Sequence, residues 1–213
     1  FSDNHTQNNK ITITGTHGKS TTAKILYDIL KDNKVDVRLV GNIGNPVLLE
    51  KKVTKRTVFV VEASSYQLEY SQLYKSNISV ILNISPDHLE RHKTINRYVS
   101  AKFKLIMSQS KEDFAILNTR NFYIRKELQS KKFLPKIVKV EKGIDNNFLK
   151  KINNQYFNTD GNRENLRFII EIAKILKIKK IFLIKALKKF KGLKYRQEII
   201  FKSKKLTIIN DSK

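Results

Sequence analysis

A chain of 213 residues with 40% hydrophobic side chains is long enough to bury one substantial core, or one core with a small appendage. The absence of cysteine excludes disulfides and cysteine-based zinc or redox chemistry, and fits a cytoplasmic protein. The net charge of +24 points first to nucleic acid, but 34 of the 43 basic residues are Lys, scattered through an Asn- and Ile-rich chain. Arg clusters and aromatic platforms are missing, so nucleic-acid binding is not expected as the main function. No apolar run approaches the roughly 18 residues of a membrane span, and no signal peptide opens the chain.

Short apolar, β-rich runs alternate with helix-period segments. The pattern predicts strands over 11–14, 35–40, 57–61, 78–84, 113–117, 137–140, 197–201 and 206–209. Helices are predicted over 19–31, 95–108, 122–129, 163–176 and 182–190, the fourth with Leu166, Ile169, Ile170 and Ala173 on one face. The polar, Asn-rich stretch 142–160 reads as surface structure. The alternation predicts an α/β fold with a doubly wound, mostly parallel sheet.

The first strand runs into TITGTHGKSTTAKIL, Thr12 to Leu26. Gly15 and Gly18 let the backbone come close to an anion at a helix N-terminus. Lys19 supplies a point charge for β/γ-phosphates and Ser20 a hydroxyl for Mg2+; the bland reading is a Gly-rich turn with an exposed lysine. In TVFVVEASSYQLE an apolar strand delivers Glu62 to the carboxyl edge of the sheet. There it can hold Mg2+ beside the P-loop hydroxyl, or simply act as a capping or solvated carboxylate. VILNISPDHLERH delivers Asp87 and His88 in the same way, and a lone His is as readily structural as a ligand. In YVSAKFKLI, Lys102 reads as an ordinary snorkelling lysine. GNIGNP, from Gly41, is a generic turn. GLKYRQE and NDSK place Arg196 and Asp211 near strand ends, suited to phosphate and ribose or to plain surface charge.

Taken together and in this order, GTHGKSTT, GNIGNP, EASSYQLE, NISPDHLERH, SAK, the Asn162/Asn165 pair and GLKYRQE…NDSK resemble the Mur ligases. These are ATP-dependent amino-acid-adding enzymes of peptidoglycan synthesis. The resemblance implies that residues 1–213 are the ATP-binding central domain of a longer ligase, whose UDP-binding and amino-acid-binding domains lie outside it. It implies ATP on Gly15, Thr16, Gly18, Lys19, Ser20 and Thr21, with Asn165 near the adenine and Arg196 and Asp211 on phosphate and ribose. Mg2+ would sit on Ser20 and Glu62, and a second Mg2+ on His88 and a carbamylated Lys102. The catalytic set would be Lys19, Lys102 and His88. Asn42 and Ser65 would touch the substrate. Within the family the likeness is greatest to the D-glutamate-adding branch. Its small-molecule substrates, UDP-N-acetylmuramoyl-L-alanine and D-glutamate, would be joined through an acyl phosphate by a monomer. His17 points instead toward the L-alanine-adding branch, and folylpolyglutamate synthetases are a further relative to weigh. A basic nucleotide- or nucleic-acid-binding module without ligase activity is the alternative from another class.

Overall fold

The structure, a computed structural model, describes residues 8–141, 143–194, 196, 198–203 and 205–210. In chain order its elements are β1 (Asn9–Thr14), α1 (Lys19–Asp32), β2 (Val37–Gly41), β3 (Val58–Glu62), α2 (Ser65–Tyr70) and β4 (Ile78–Ile81). Then come α3 (Leu89–His92), α4 (Ile95–Met107), β5 (Phe114–Leu117), α5 (Phe122–Ser130), β6 (Lys136–Lys139) and α6 (Asn146–Ile152). The chain finishes with α7 (Asp160–Ile175), α8 (Lys180–Lys189), β7 (Glu198–Lys202) and β8 (Thr207–Asn210).

Six strands form one parallel sheet in the order β2-β3-β1-β4-β5-β6. The first connection leads toward β2 and later ones toward β6, so the order reverses between β1 and β4, where ligands bind in open α/β sheets. Both faces are covered. Ile78, Val80 and Ile116 belong to one core cluster, with Ile25 and Ile29 of α1, Ile169 and Ile172 of α7 and Leu187 of α8. Their neighbours Ile81, Ala115 and Leu117 belong to another, with Tyr98, Phe103 and Ile106 of α4 and Ile124 of α5. This period-2 split is what strands between two helical layers require. Truncating Ile169 to Ala would leave a hole in the larger cluster and cost about 2–5 kcal/mol. β7 and β8 pair antiparallel as a separate hairpin.

The doubly wound α/β reading is what the structure has, and the predicted strands fall on β1 to β8. Two local readings are corrected. The predicted strand 78–84 ends at Ile81, because the next residues leave β5 and turn toward the loop after β1. Leu82 N–H donates to Thr14 O at 3.0 Å and Thr16 N–H to Asn83 O at 2.9 Å. The stretch 142–160 is not merely surface: it contains α6 and a 3-10 turn (Gln155–Asn158), and Phe148, Ile152 and Phe157 are buried in the larger core cluster. Three widely spaced apolar side chains among Asn and Lys carry the burial, while Asp145 caps α6 by accepting from Asn147 N–H at 2.9 Å. Lys142, Gln197 and Asp211 lie outside the described residues. No helix among the described residues is long and apolar enough to cross a membrane.

Candidate active site

The loop between β1 and α1 is shaped by Gly18, which caps α1 at φ 82°, a left-handed conformation. A side chain there would be strained and would also collide with the Asn165 amide. The N-termini of α2, α4, α5, α6 and α7 are each satisfied by a side-chain acceptor, whereas α1, like α3 and α8, has none. The first-turn N–H groups at Lys19, Ser20 and Thr21 therefore remain open toward an anion, with the positive end of the helix dipole behind them.

The loop itself is braced by Asn83, just beyond β4. Its Oδ1 accepts from Thr16 N–H at 3.1 Å and His17 N–H at 2.8 Å, and its Nδ2 donates to His17 O at 3.3 Å. Thr16 adds a hydroxyl bond shared with Tyr98 at 3.1 Å and accepts from Ser85 N–H at 3.0 Å. Thr16 thus spends both its N–H and its hydroxyl on the scaffold. Lys19 Nζ folds back onto Thr16 O at 2.8 Å. Burial lowers its pKa, opposed by Glu62, reinforced by Arg196 and opposed again by Asp87.

Glu62, at the end of β3, is 1% exposed. Its Oε1 accepts from Asn42 Nδ2 at 3.1 Å, and its Oε2 is buried with no hydrogen-bond partner. Gly41, at φ 104°, lets the chain pass so close to Glu62 O that a Cβ there would collide with it. A buried carboxylate oxygen left without a donor fits a cation. Asn42, expected on the substrate, is thereby engaged with Glu62.

Lys102 corrects the snorkelling reading. On the inner face of α4 it is 1% exposed, its Nζ donating to Gly15 O at 3.0 Å and to Thr14 Oγ1 at 3.4 Å. Burial, and then the charge of Lys19, bring its pKa down to about 7, while Asp87 pulls the other way. Nζ stands 4.5 Å from the centroid of the Tyr98 ring, which the His88 ring approaches edge-on at 6.3 Å. His88 has a left-handed backbone (φ 53°), a half-exposed side chain and Asp87 Oδ2 3.5 Å from its Nε2. Ser65 faces inward instead: its hydroxyl shares a 3.0 Å hydrogen bond with buried His92 Nε2, and it is not part of the cavity wall.

These strand ends enclose a cavity of about 1050 Å³. Thr16, Gly18, Lys19, Ser20 and Thr21 line it, as do Asn42, Glu62, His88, Asn165 and Arg196. Gly15 and Lys102 are not part of the cavity wall. Asp211 lies outside the described residues. Among the described residues no group of three or more His, Asp or Glu converges as a metal cluster, so any cation here would also need hydroxyl, phosphate or other oxygen donors. Asn83 and Tyr98 were not singled out from the sequence. The signal was present, as a polar residue directly after an apolar strand and a tyrosine one turn before Lys102, but only the fold shows what they touch.

Comparison with known proteins agrees with this geometry. Residues 13–181 match the family model described as the Mur ligase middle domain. The UDP-N-acetylmuramoylalanine--D-glutamate ligase of Rickettsia bellii is 35% identical over 225 residues, covering 96% of this chain and 50% of its own. That of Clostridioides difficile is 35% identical over 221 residues, covering 95% of this chain and 49% of its own. The chain therefore spans about half the length of these curated relatives. In fold it is similar to the MurF ligase of Thermotoga maritima solved in complex with ADP. The TM-score is 0.70 at 17% identity, over 96% of this chain and 53% of that one.

Proposed function

The chain belongs to the Mur ligase family, and we propose that it is the central, ATP-binding domain of the ligase that adds D-glutamate to UDP-N-acetylmuramoyl-L-alanine. The observation that carries the reading is the meeting of an uncapped helix N-terminus, Lys19 and the unpartnered Glu62 oxygen on one cavity wall. The D-glutamate assignment is supported by the names of the relatives that match nearly the whole chain.

In this reading the first-turn N–H groups of α1 hold the ATP phosphates, and Lys19 leaves Thr16 O to meet them. Ser20 and Glu62 would hold one Mg2+, and His88 with a carbamylated Lys102 would hold a second. The donor set is consistent with that use, since Glu62 Oε2 has no other partner. Bound Mg2+ supplies positive charge that offsets the repulsion between triphosphate and attacking carboxylate. The protein's own part is positioning: Asn83 fixes the loop, and Arg196 adds positive charge beside Lys19. The substrate carboxylate attacks the γ-phosphorus and ADP leaves. The amine of D-glutamate then attacks the acyl phosphate carbon, loses a proton and expels inorganic phosphate. With a pKa near 7, Lys102 has a large neutral fraction at neutral pH, the form that adds CO2 to become an anionic oxygen ligand. Asn165 lies beside the loop at Gly18, consistent with an adenine contact. The 213-residue chain alone is expected to bind Mg-ATP weakly and to make no amide bond.

The test uses the whole natural polypeptide, supplied with UDP-N-acetylmuramoyl-L-alanine, Mg-ATP and each candidate amino acid in turn while phosphate release is followed. Release with D-glutamate alone is expected. Release only with UDP-N-acetylmuramate and L-alanine would make His17 the better guide. Silence with every muramoyl substrate would overturn the reading.

A further inference from the structure

A second cavity, of about 470 Å³, opens beside β6 among α6, α7 and α8. Its floor is apolar, built from Val140, Ile144, Phe148, Ile170, Ile178 and Leu183. Its size falls within the usual range for small-molecule sites. The charges on its wall are unequally satisfied. Each acid is already engaged: Glu141 accepts from Thr119 Oγ1 at 2.5 Å, Asp145 from Asn147 N–H at 2.9 Å, and Glu171 pairs with Lys174 at 2.7 Å. Three cations are not. Arg167, Lys139 and Lys180 make no side-chain hydrogen bond or ion pair among the described residues, Lys180 Nζ standing instead 5.5 Å from the centroid of the Phe148 ring, and Arg167 Nε is buried without an acceptor. Burying a guanidinium N–H unpaired is unfavourable, which makes it a pointer to an acceptor brought by a ligand. Arg167 also borders the larger cavity.

We propose that this second cavity is a binding site for a small amphipathic monocarboxylate, its carboxylate forked by Arg167 with Lys139 at the rim and its apolar body on Phe148, Ile170 and Leu183. A planar guanidinium matches a carboxylate through two parallel bonds. The apolar floor disfavours a fully hydrated dianion such as inorganic phosphate. The site is separate from the wall that holds Lys19 and Glu62, and the inference does not depend on the ligase reading.

The probe is octanoate, with octan-1-ol as its uncharged counterpart, each measured by equilibrium dialysis against the whole protein. One octanoate per chain is expected, with octanol bound at least about tenfold more weakly, the share a charged hydrogen-bonded pair contributes. Arg167→Leu is expected to bring octanoate down to the level of octanol and to leave octanol unchanged. Ile170→Trp, which fills the floor, is expected to abolish both. Should Arg167→Leu fail to fold, Arg167→Lys keeps the charge but loses the fork, and a several-fold loss for octanoate alone is expected. Equal binding of octanoate and octanol to the native protein, octanoate affinity unchanged by the Arg167 variants, or several equivalent sites on surface lysines would each overturn the proposal.

Discussion

The two ends of the parallel sheet treat buried polar groups in opposite ways. At the amino end they are tied to backbone: Ser76 Oγ donates to Lys10 O and Ile78 O, both at 2.9 Å. Asn8 Nδ2 donates to Thr54 O at 2.7 Å and Thr57 O at 3.0 Å, and Gln109 Nε2 to Ser76 O at 2.8 Å and Phe114 O at 2.9 Å. At the carboxyl end Glu62 Oε2 and His92 Nδ1 are buried without a hydrogen-bond partner, and Lys102 is buried beside the charge of Lys19 with its pKa brought down to about 7. Gln109 Oε1 is the one comparable orphan at the amino end among the described residues. Polar burial at one end therefore closes the fold, whereas at the other it leaves capacity for something the protein must bind.

The largest break in this contrast should come from Lys19→Ala. It removes the cation that rests on Thr16 O at the carboxyl end and should weaken ATP binding by about 100-fold, the worth of a charged hydrogen bond to phosphate, in a calorimetric titration. Unchanged affinity would take the phosphate role away from this loop. Glu62→Gln comes next. It should abolish most of the Mg2+ dependence of ATP binding while leaving the melting temperature of the unliganded protein equal or higher, because an unpartnered buried carboxylate is removed. A clear fall in melting temperature would mean that Glu62 belongs to the structural class of the amino end.

Asn83→Ala should relax the loop and weaken ATP about tenfold, the worth of the hydrogen bonds it removes, without touching the phosphates directly. An Asp at the same position keeps the acceptor for Thr16 and His17 and should recover part of the loss. Lys102 makes the contrast visible in pH. Its folded pKa of about 7 lies below the ordinary lysine value of 10.5, so between the two the unfolded chain binds more protons. Stability should thus rise with pH across that window and the Lys102 contribution should level off below it. Lys102→Met should flatten this part of the profile in denaturant titrations at successive pH values. The smallest effect on binding belongs to Ser76→Ala at the amino end, which should cost about 1–3 kcal/mol of stability and leave ATP affinity untouched.

Much of this was legible along the chain. The β-branched runs that became β1 and β3 to β5, the Gly15-to-Ser20 turn and the stripe on α7 are local patterns, and local patterns survive folding when tertiary packing agrees with them. Other features depended on partners distant in sequence. Asn83 is one polar residue among many until the reversal of strand order brings it against His17, 66 residues earlier. Ser65 reads as a candidate contact until His92 claims its hydroxyl. Phe148, Ile152 and Phe157 are too sparse to announce a buried segment, yet the space beside α7 and α8 takes all three. The sequence by itself determined the α/β alternation, the anion-binding turn and the family that these motifs resemble, because periodicity and turn chemistry act over a few residues. Only the tertiary structure decided that Lys102 is buried, that Glu62 keeps an unpaired oxygen and that Arg167 borders two cavities. Burial and pairing are properties of the surroundings, and the surroundings come from strands and helices far apart in the chain.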